Sequence, residues 1–187
     1  MNGMSPDACN LPRPDPDSYW VIEGRLLAGP FPGSFDDDLT RLRLAEFIAA
    51  GVSFFLDLTS PGERPPYHPF LKGQRTPDGR ICVYRNLPVP DFGVPPPSRM
   101  HEILATISRA LGQGHTVYLH CWGGIGRTGT AVGCLLVEEG FDGDRALAEV
   151  QRLLDQSERG GGGCQSPETG EQRKFVRDWV HFQSVRN

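Results

Sequence analysis

The stretch HCWGGIGRTG, residues 120–129, places a cysteine, an arginine and several glycines close together, directly after the apolar run 116–119. A cysteine thiolate is a strong nucleophile. Six residues later, Arg127 supplies a planar fork that suits two phosphate oxygens. This combination predicts nucleophilic attack on a phosphoryl group.

The glycines of this loop predict a phosphate-binding nest. If Gly123, Gly124 and Gly126 let the backbone curl, successive N–H groups point into one concavity at the start of a helix, where the helix dipole also favours an anion. The loop is not a Walker loop, because no Gly-Lys-Ser/Thr follows. The expected phosphate-binding residues are Trp122, Gly123, Gly124, Ile125, Gly126 and Arg127.

Cys121 lies at the base of this predicted nest. The helix dipole, the amides and Arg127 all favour the thiolate over the thiol. The hydroxyl of Thr128 is placed to donate a hydrogen bond to that thiolate and ease its departure as a leaving group. A glycine-rich turn with one core cysteine is the alternative, and C-x5-R alone occurs often by chance. The combined pattern HCxxGxxRTG between an apolar strand and an apolar helix favours the site.

Strands and helices alternate along the chain, which predicts an α/β fold. We expect a single domain with a central, mostly parallel twisted sheet flanked by helices. The loop falls between a central strand and a buried helix, where α/β folds place ligands. An earlier helix is predicted from apolar residues at roughly helical spacing: Leu39, Leu42, Ala45, Phe47, Ile48 and Ala49. Ser98 is placed to cap the helix that begins near residue 99.

Composition narrows the classes of function. The chain has 187 residues, a net charge of −4 and a pI near 5.7, which argues against nucleic-acid binding. No apolar stretch is long enough for a membrane span, and the N-terminus lacks a signal-peptide pattern. We expect a cytoplasmic monomer with a flexible lead-in at residues 1–18 and a catalytic domain at residues 19–187.

The cysteines predict a reducing compartment. The five are widely spaced, form no CxxC pair and fit no zinc-binding pattern, so neither a metal nor another cofactor is expected. Four of them are predicted to be structural or incidental: Cys9, Cys82, Cys134 and Cys164.

The loop HCWGGIGRTG resembles the signature loop of the cysteine-based protein tyrosine phosphatases. It is most similar to the compact dual-specificity branch, including kinase-associated phosphatases with a similar double glycine after the cysteine. The resemblance covers roughly residues 19–185. It implies a phosphatase fold and a reaction through a phosphocysteine, with the cysteine thiolate as nucleophile.

The resemblance also assigns roles outside the loop. A general acid is needed because an alkoxide or phenolate is a poor leaving group, and Asp91 in PVPDFGVPPPS lies 30 residues before Cys121. Gln172 is implied to hold the hydrolytic water, with Gln165 as an alternative. Glu63 is expected either to brace Arg127 or to be a surface charge, and His120 to form hydrogen bonds that support the loop.

The resulting functional hypothesis is a phosphomonoester hydrolase acting on phosphoproteins. Phosphotyrosine is the favoured substrate, with phosphoserine and phosphothreonine as further possibilities, because the signature loop contains no lysine to favour several phosphates. The amides and Arg127 supply the positive charge that a metal ion would otherwise provide. Two alternatives stay open: a phosphatase for a small-molecule or lipid phosphoester, and a catalytically silent phosphopeptide-binding module.

Overall fold

The computed structural model describes residues 11–182, which form five strands and five α-helices with two short 3-10 helices at His68–Leu71 and Gly160–Gly162. The strands are β1 Tyr19–Ile22, β2 Leu26–Gly29, β3 Val52–Asp57, β4 Val83–Asn86 and β5 Thr116–His120. The helices are α1 Asp37–Ala49, α2 Pro97–Gly112, α3 Gly126–Glu138, α4 Gly143–Leu154 and α5 Gly170–Phe182.

The strands form one sheet in the order β1-β2-β5-β3-β4. The pairs β2–β5, β5–β3 and β3–β4 are parallel, and only β1 runs antiparallel to its neighbour. The predicted α/β domain with a mostly parallel sheet is confirmed. Every residue of β3 is buried, as are the last four residues of β5, because parallel strands are covered on both faces.

Alternating side chains of β5 enter two separate apolar layers. Val117 and Leu119 pack with residues of α2, α3, α4 and α5 on one face of the sheet. Tyr118 points to the other face and packs with Leu44 and Phe47 of α1. The central strand is therefore held from both sides, which fixes the position of the loop that follows it.

Two local predictions were wrong. In α1 the buried residues are Thr40, Leu44 and Phe47, whereas Leu39 and Leu42 are 39% and 60% exposed, so the core-facing stripe is rotated from the predicted one. Ser98 does not cap α2, because this helix begins at Pro97 and no side chain forms a cap hydrogen bond there. Proline is well suited to the first position of a helix, since its missing N–H is one that a helix leaves unpaired.

The end of the predicted lead-in contacts the domain. Arg13 donates hydrogen bonds to the carbonyls of Ser18 and Gln156. Residues 1–10, including Cys9, lie outside the described part of the chain, and the boundary at residues 18 and 19 stays a prediction. Within residues 11–182, no helix is long and apolar enough to cross a membrane, and no cluster of three or more His, Cys, Asp or Glu could hold a metal ion.

Candidate active site

The signature loop joins the central strand to the most buried helix. Cys121 directly follows β5 and is only 3% exposed, and α3 begins at Gly126. Gly124 has φ +75°, and a Cβ there would lie 2.4 Å from the carbonyl carbon of Gly29. Only glycine satisfies both the backbone conformation and this close approach.

The backbone carbonyl and amide groups of the signature loop differ in their hydrogen bonding: neighbouring groups donate to the carbonyls, whereas the amides are unpaired in the described residues. Among residues 11–182, no N–H group of residues 122–128 donates a hydrogen bond. A run of unpaired N–H groups at a helix N-terminus is an anion-binding site. Three carbonyl bonds fix the loop: Trp122 O accepts from Phe31 N at 2.8 Å, Gly123 O from Arg159 Nη1 at 3.1 Å, and Ile125 O from Ser166 Oγ at 2.8 Å.

Arg127 is buried and held by two carboxylates. Its Nη1 and Nη2 donate to Oε2 and Oε1 of Glu63 at 2.8 and 2.6 Å, a bidentate pair. Nη2 also lies 3.0 Å from Oδ1 of Asp91. Glu63 is only 16% exposed at its side chain, so the structure places it as a brace on Arg127 and not as a free surface charge.

Replacing Glu63 with glutamine is expected to destabilise the fold at neutral pH. The hydrogen bond from Arg127 lowers the pKa of Glu63 below its ordinary value of 4.5, so the stabilisation is present above that pH and is lost as pH falls through the lowered pKa. We expect E63Q to lower the free energy of unfolding by about 2 kcal/mol at pH 7. The difference in the free energy of unfolding between the wild type and E63Q, measured by urea unfolding, should narrow below pH 4.5.

The matched control is Glu149→Gln. Glu149 also forms a bidentate pair, with Arg152 on the surface of α4. Because exposed ion pairs contribute only about 0–1 kcal/mol, E149Q should change stability little. Equal losses for the two variants, or a gap for E63Q that stays constant with pH, would contradict the role given to Glu63.

His120, the last residue of β5, forms a hydrogen bond with the first residue of the signature loop. It is fully buried, and burial lowers its pKa, so the ring is neutral at pH 7. Nδ1 lies 3.1 Å from the carbonyl oxygen of Cys121, which only accepts, so we assign the proton to Nδ1. Nε2 then accepts a hydrogen bond from the hydroxyl of Tyr67 at 2.7 Å. The carbonyl of Cys121 therefore sets the tautomer of His120, and Tyr67 supplies the donor that its Nε2 then requires.

We expect Tyr67→Phe to lower the free energy of unfolding by about 1–3 kcal/mol, because it leaves Nε2 of His120 buried without a donor. Thermal or urea unfolding measures the change.

Tyr19 offers a matched control, since its hydroxyl is buried and has no hydrogen-bond partner within residues 11–182. Tyr19→Phe should be neutral or stabilising. If both variants destabilise equally, the Tyr67–His120 bond contributes nothing specific.

Asp91 shares one cavity with Cys121. This cavity of about 350 Å³ also contains Arg127 and Gln172 in its wall. The side chain of Asp91 is 41% exposed, so it can reach a bound molecule. Two exposed aromatic side chains lie in the wall, Phe92 at 59% and Trp122 at 48% exposure.

Gln172 connects α5 to the loop that carries Asp91. Its Oε1 accepts from Thr169 N, and its own N–H donates to Thr169 Oγ1, which together form a capping box. Its Nε2 donates to Gly93 O at 3.1 Å. The structure thus places Gln172 in the cavity wall, whereas the alternative, Gln165, is exposed and lies outside that wall.

Thr128 is fully buried at the third position of α3, but the expected hydrogen bond to Cys121 is absent. The Oγ1 atom has no partner among the described residues. The predicted contact between the Thr128 hydroxyl and the Cys121 sulfur is therefore not formed in this structure.

Three residues that the sequence did not single out contribute to this region. Tyr67 orders His120, while Arg159 and Glu168 line the cavity. Each lies far along the chain from the signature loop, in a segment rich in proline or glycine. No spacing pattern connects them to Cys121, so only the tertiary structure reveals them.

Residues 16–176 match the family PTP-SAK, described as a Swiss Army Knife protein, DSP-PTPase phosphatase domain. The chain belongs to this family. It is thus a compact cysteine-based phosphatase of the dual-specificity type, as the signature loop predicted.

Relatives of known name or structure agree with this assignment. The candidate tyrosine phosphatase 067L of Invertebrate iridescent virus 3 is 34% identical over 101 residues, which are 50% of this chain and 38% of that protein. This phosphatase therefore spans about two fifths of the length of that relative.

Solved structures match over most of the chain. Tk-PTP in its active form superposes with a TM-score of 0.70 at 25% identity, covering 89% of this phosphatase and 97% of Tk-PTP. Kinase associated phosphatase, with its catalytic cysteine replaced by serine, gives 0.73 at 17% identity, covering 91% and 96% of the two chains. The second match shows a shared fold.

Proposed function

We propose that this phosphatase hydrolyses phosphate monoesters on proteins, phosphotyrosine above all, through a phosphocysteine at Cys121. The observation that carries the proposal is the run of unpaired N–H groups at residues 122–128, next to a recessed cysteine. Arg127 and Asp91 in the same cavity supply the cation and the acid that the reaction needs.

In the first half-reaction, the amides and Arg127 bind the dianionic phosphoryl group. The thiolate of Cys121 attacks phosphorus, the bond from phosphorus to the leaving oxygen breaks, and Asp91 donates its proton to that oxygen. Asp91 pairs with Arg127 at 3.0 Å, so a bound phosphoryl group must take over this contact before Asp91 can act.

In the second half-reaction, water attacks the phosphocysteine. The carboxylate of Asp91 accepts a proton from the water, the S–P bond breaks, and inorganic phosphate leaves with the thiolate restored. Gln172 is suited to hold this water, since Oε1 and one hydrogen of Nε2 are already bonded and a second Nε2 hydrogen remains. Its fixed position follows from the capping box with Thr169.

The shape of the cavity supports phosphotyrosine as the preferred substrate. Cys121 is only 3% exposed, so a phosphoryl group must extend inward from the surface to reach its sulfur. The long, rigid side chain of phosphotyrosine does this more readily than that of phosphoserine. Phe92 and Trp122 provide aromatic surface for its ring, and aromatic pairs contribute about 0.5–1.5 kcal/mol beyond simple burial.

The test is hydrolysis of matched phosphotyrosine, phosphoserine and phosphothreonine peptides and of a phosphoinositide, with a chelator present. We expect turnover of the phosphotyrosine peptide at the highest kcat/KM. Comparable cleavage of all three peptides would establish dual specificity.

Preference for the phosphoinositide would replace the proposal with a lipid phosphatase. Tight binding of phosphopeptide without turnover would replace it with a binding module. Since Cys121, Arg127 and Asp91 are all present, turnover is the expected result.

A further inference from the structure

The edge strand β4 is open on one side. It is the last strand in the sheet order, and among residues 11–182 only β3 pairs with it. The hairpin before β4 covers its outer edge as far as Cys82, whose N–H donates to the carbonyl oxygen of Gln74 at 3.0 Å. From Val83 to Asn86, the outer edge therefore has no strand partner in the part of the chain described. An uncovered strand edge is a template for an added strand.

The main-chain groups on this outer edge belong to Tyr84 and Asn86. Successive residues of a strand direct their N–H and C=O groups to opposite edges, so every second residue faces the same neighbour. Cys82 bonds outward to the hairpin, whereas Leu87 donates inward to the carbonyl oxygen of Asp57 at 2.9 Å. By this alternation, Tyr84 and Asn86 face outward. Within the described residues, their main-chain groups bond to no loop, so they are available to an extended segment.

A groove of about 430 Å³ lies beside this edge, between β4 and α2. Two of its lining residues, Phe54 and Ala110, are buried, and Val83 adds exposed apolar surface. Residues three and four positions apart share one face of a helix, and α2 lines the groove with such a stripe. The stripe consists of Glu102, Thr106, Arg109 and Gln113. The groove can therefore hold alternate side chains of a segment that pairs with β4.

The groove is basic, although the whole chain has a net charge of −4. Among its lining residues Glu102 is the one carboxylate, and it already pairs with Arg85 at 3.6 Å and with Arg99 at 2.6 Å. Arg109 is exposed, and its guanidinium has no hydrogen bond or ion pair within residues 11–182. Three guanidinium groups thus accompany one carboxylate. The matching ligand is an extended segment with Asp or Glu at alternate positions.

β4 leads directly to the proposed general acid. Asp91 follows Asn86 by five residues, which span at most about 18 Å when extended. Val89 anchors this connection to the site, because its N–H donates to the carbonyl of Leu58 and its own carbonyl accepts from Arg127. A flexible linker of about ten residues has a root-mean-square length of about 17 Å. One substrate chain can therefore occupy the groove and the active-site cavity at the same time.

We propose that β4 and this groove dock an extended acidic segment of the phosphoprotein substrate. The inference rests on the proposed function and adds a docking site to it. The segment adds as a strand to β4, with its main chain bonded to Tyr84 and Asn86 and its carboxylates beside Arg109. Main-chain pairing supplies affinity, and alternate side chains supply specificity. Docking raises the effective concentration of the phosphotyrosine at Cys121 and leaves the chemical steps unchanged.

The test compares two phosphotyrosine peptides, each joined through a flexible Gly/Ser linker of about ten residues to an extended segment. The segment alternates Glu with Val in one peptide, and Gln replaces each Glu in the other. For the wild type, we expect kcat/KM to be about tenfold higher for the Glu peptide, through KM, because tethering changes binding and not chemistry. This advantage should shrink as salt is raised, because the arginines are exposed to solvent.

Arg109→Gln should remove most of the advantage of the Glu peptide. Hydrolysis of a phosphotyrosine peptide without an added segment should stay unchanged, because Arg109 lies outside the wall of the active-site cavity. The matched control is Arg41→Gln. Arg41 is exposed on α1, which packs on the opposite face of the sheet, so R41Q makes the same change in net charge away from the groove. This control should keep the full advantage.

N-methylation of the Glu segment tests the added strand itself. A methyl group on a main-chain nitrogen removes a donor, and only every second amide of a paired strand faces its neighbour. Methylation of one alternate set of amides should therefore abolish the advantage, whereas methylation of the other set should preserve it. Equal effects of the two sets would overturn strand addition.

The remaining outcomes separate the docking site from the proposed function. If the wild type cleaves no phosphotyrosine peptide, with or without a segment, the proposed function fails. Fluorescence anisotropy of the labelled Glu segment alone then tests docking: binding that R109Q weakens supports the groove, and no binding, or equal binding by R109Q, overturns it. If the wild type cleaves the Glu and Gln peptides equally, or if R109Q keeps the same advantage as R41Q, the function stands and docking is overturned.

A second copy of this chain is the other possible occupant of the groove. Sedimentation of the wild type and of R109Q distinguishes it from a substrate segment. We expect the two proteins to have the same oligomeric state. A wild-type dimer that R109Q dissociates would assign the groove to a second copy and overturn the acidic segment.

Discussion

Cys121→Ser will abolish turnover and leave phosphopeptide binding in place. Serine keeps the size and position of the side chain, but its hydroxyl is a far weaker nucleophile than a thiolate next to free amides. Removal of a covalent nucleophile lowers kcat by roughly 10⁶-fold in a serine hydrolase, and we expect a loss of at least about 10⁴-fold here. Single-turnover hydrolysis of a phosphotyrosine peptide measures the rate, and titration of the same peptide measures binding.

The matched control is Cys164→Ser, because Cys164 is an exposed free thiol outside the cavity wall. C164S should retain full activity. Binding by the C121S variant shows that it is folded, since the amides of residues 122–128 and Arg127 still hold the phosphate. Hydrolysis by C121S at a rate near that of the wild type would remove Cys121 from the mechanism.

The signature loop was predictable from sequence because its chemistry is local. Cys121, the glycines and Arg127 lie within one short segment, and the apolar run before it marks a buried strand. The backbone conformation of the loop follows from its glycines. Gly124 illustrates this, since its positive φ and its contact with Gly29 both require a residue without a side chain.

Asp91, Glu63 and Gln172 were predictable only through the resemblance to a family. In the structure they converge because β3 pairs with β5, β4 pairs with β3, and α5 packs against α3. A bond such as that between Glu63 and Arg127 joins residues 64 positions apart. Neither periodicity nor spacing encodes such a contact, since it depends on sheet order.

Tyr67 and Arg159 could not be predicted at all. Each lies in a segment whose path is set by tertiary contacts: Tyr67 packs with Phe31 and His120, and Arg159 is tied to Asp17. The exposed leucines of α1 show the same limit, because the sequence carries too weak an apolar stripe to decide which face meets the sheet.

Asp91→Asn will slow the reaction most for substrates with poor leaving groups. Asparagine preserves the shape of the side chain but cannot protonate the leaving oxygen. Because general acid catalysis contributes about 10²–10⁴-fold, we expect a loss of that size with a phosphotyrosine or phosphoserine peptide. An aryl phosphate with an electron-poor ring needs little protonation and should lose less than about tenfold.

The dependence on leaving group separates a chemical role from a binding role. D91N also removes the carboxylate that pairs with Arg127 at 3.0 Å, so an anion meets less competition and KM should stay level or fall. If Asp91 only positioned Arg127, all substrates would slow by one common factor and KM would rise. In the wild type and in D91N, kcat is measured as the pKa of the leaving group increases. If kcat falls more steeply in D91N, Asp91 is the residue that protonates the leaving oxygen.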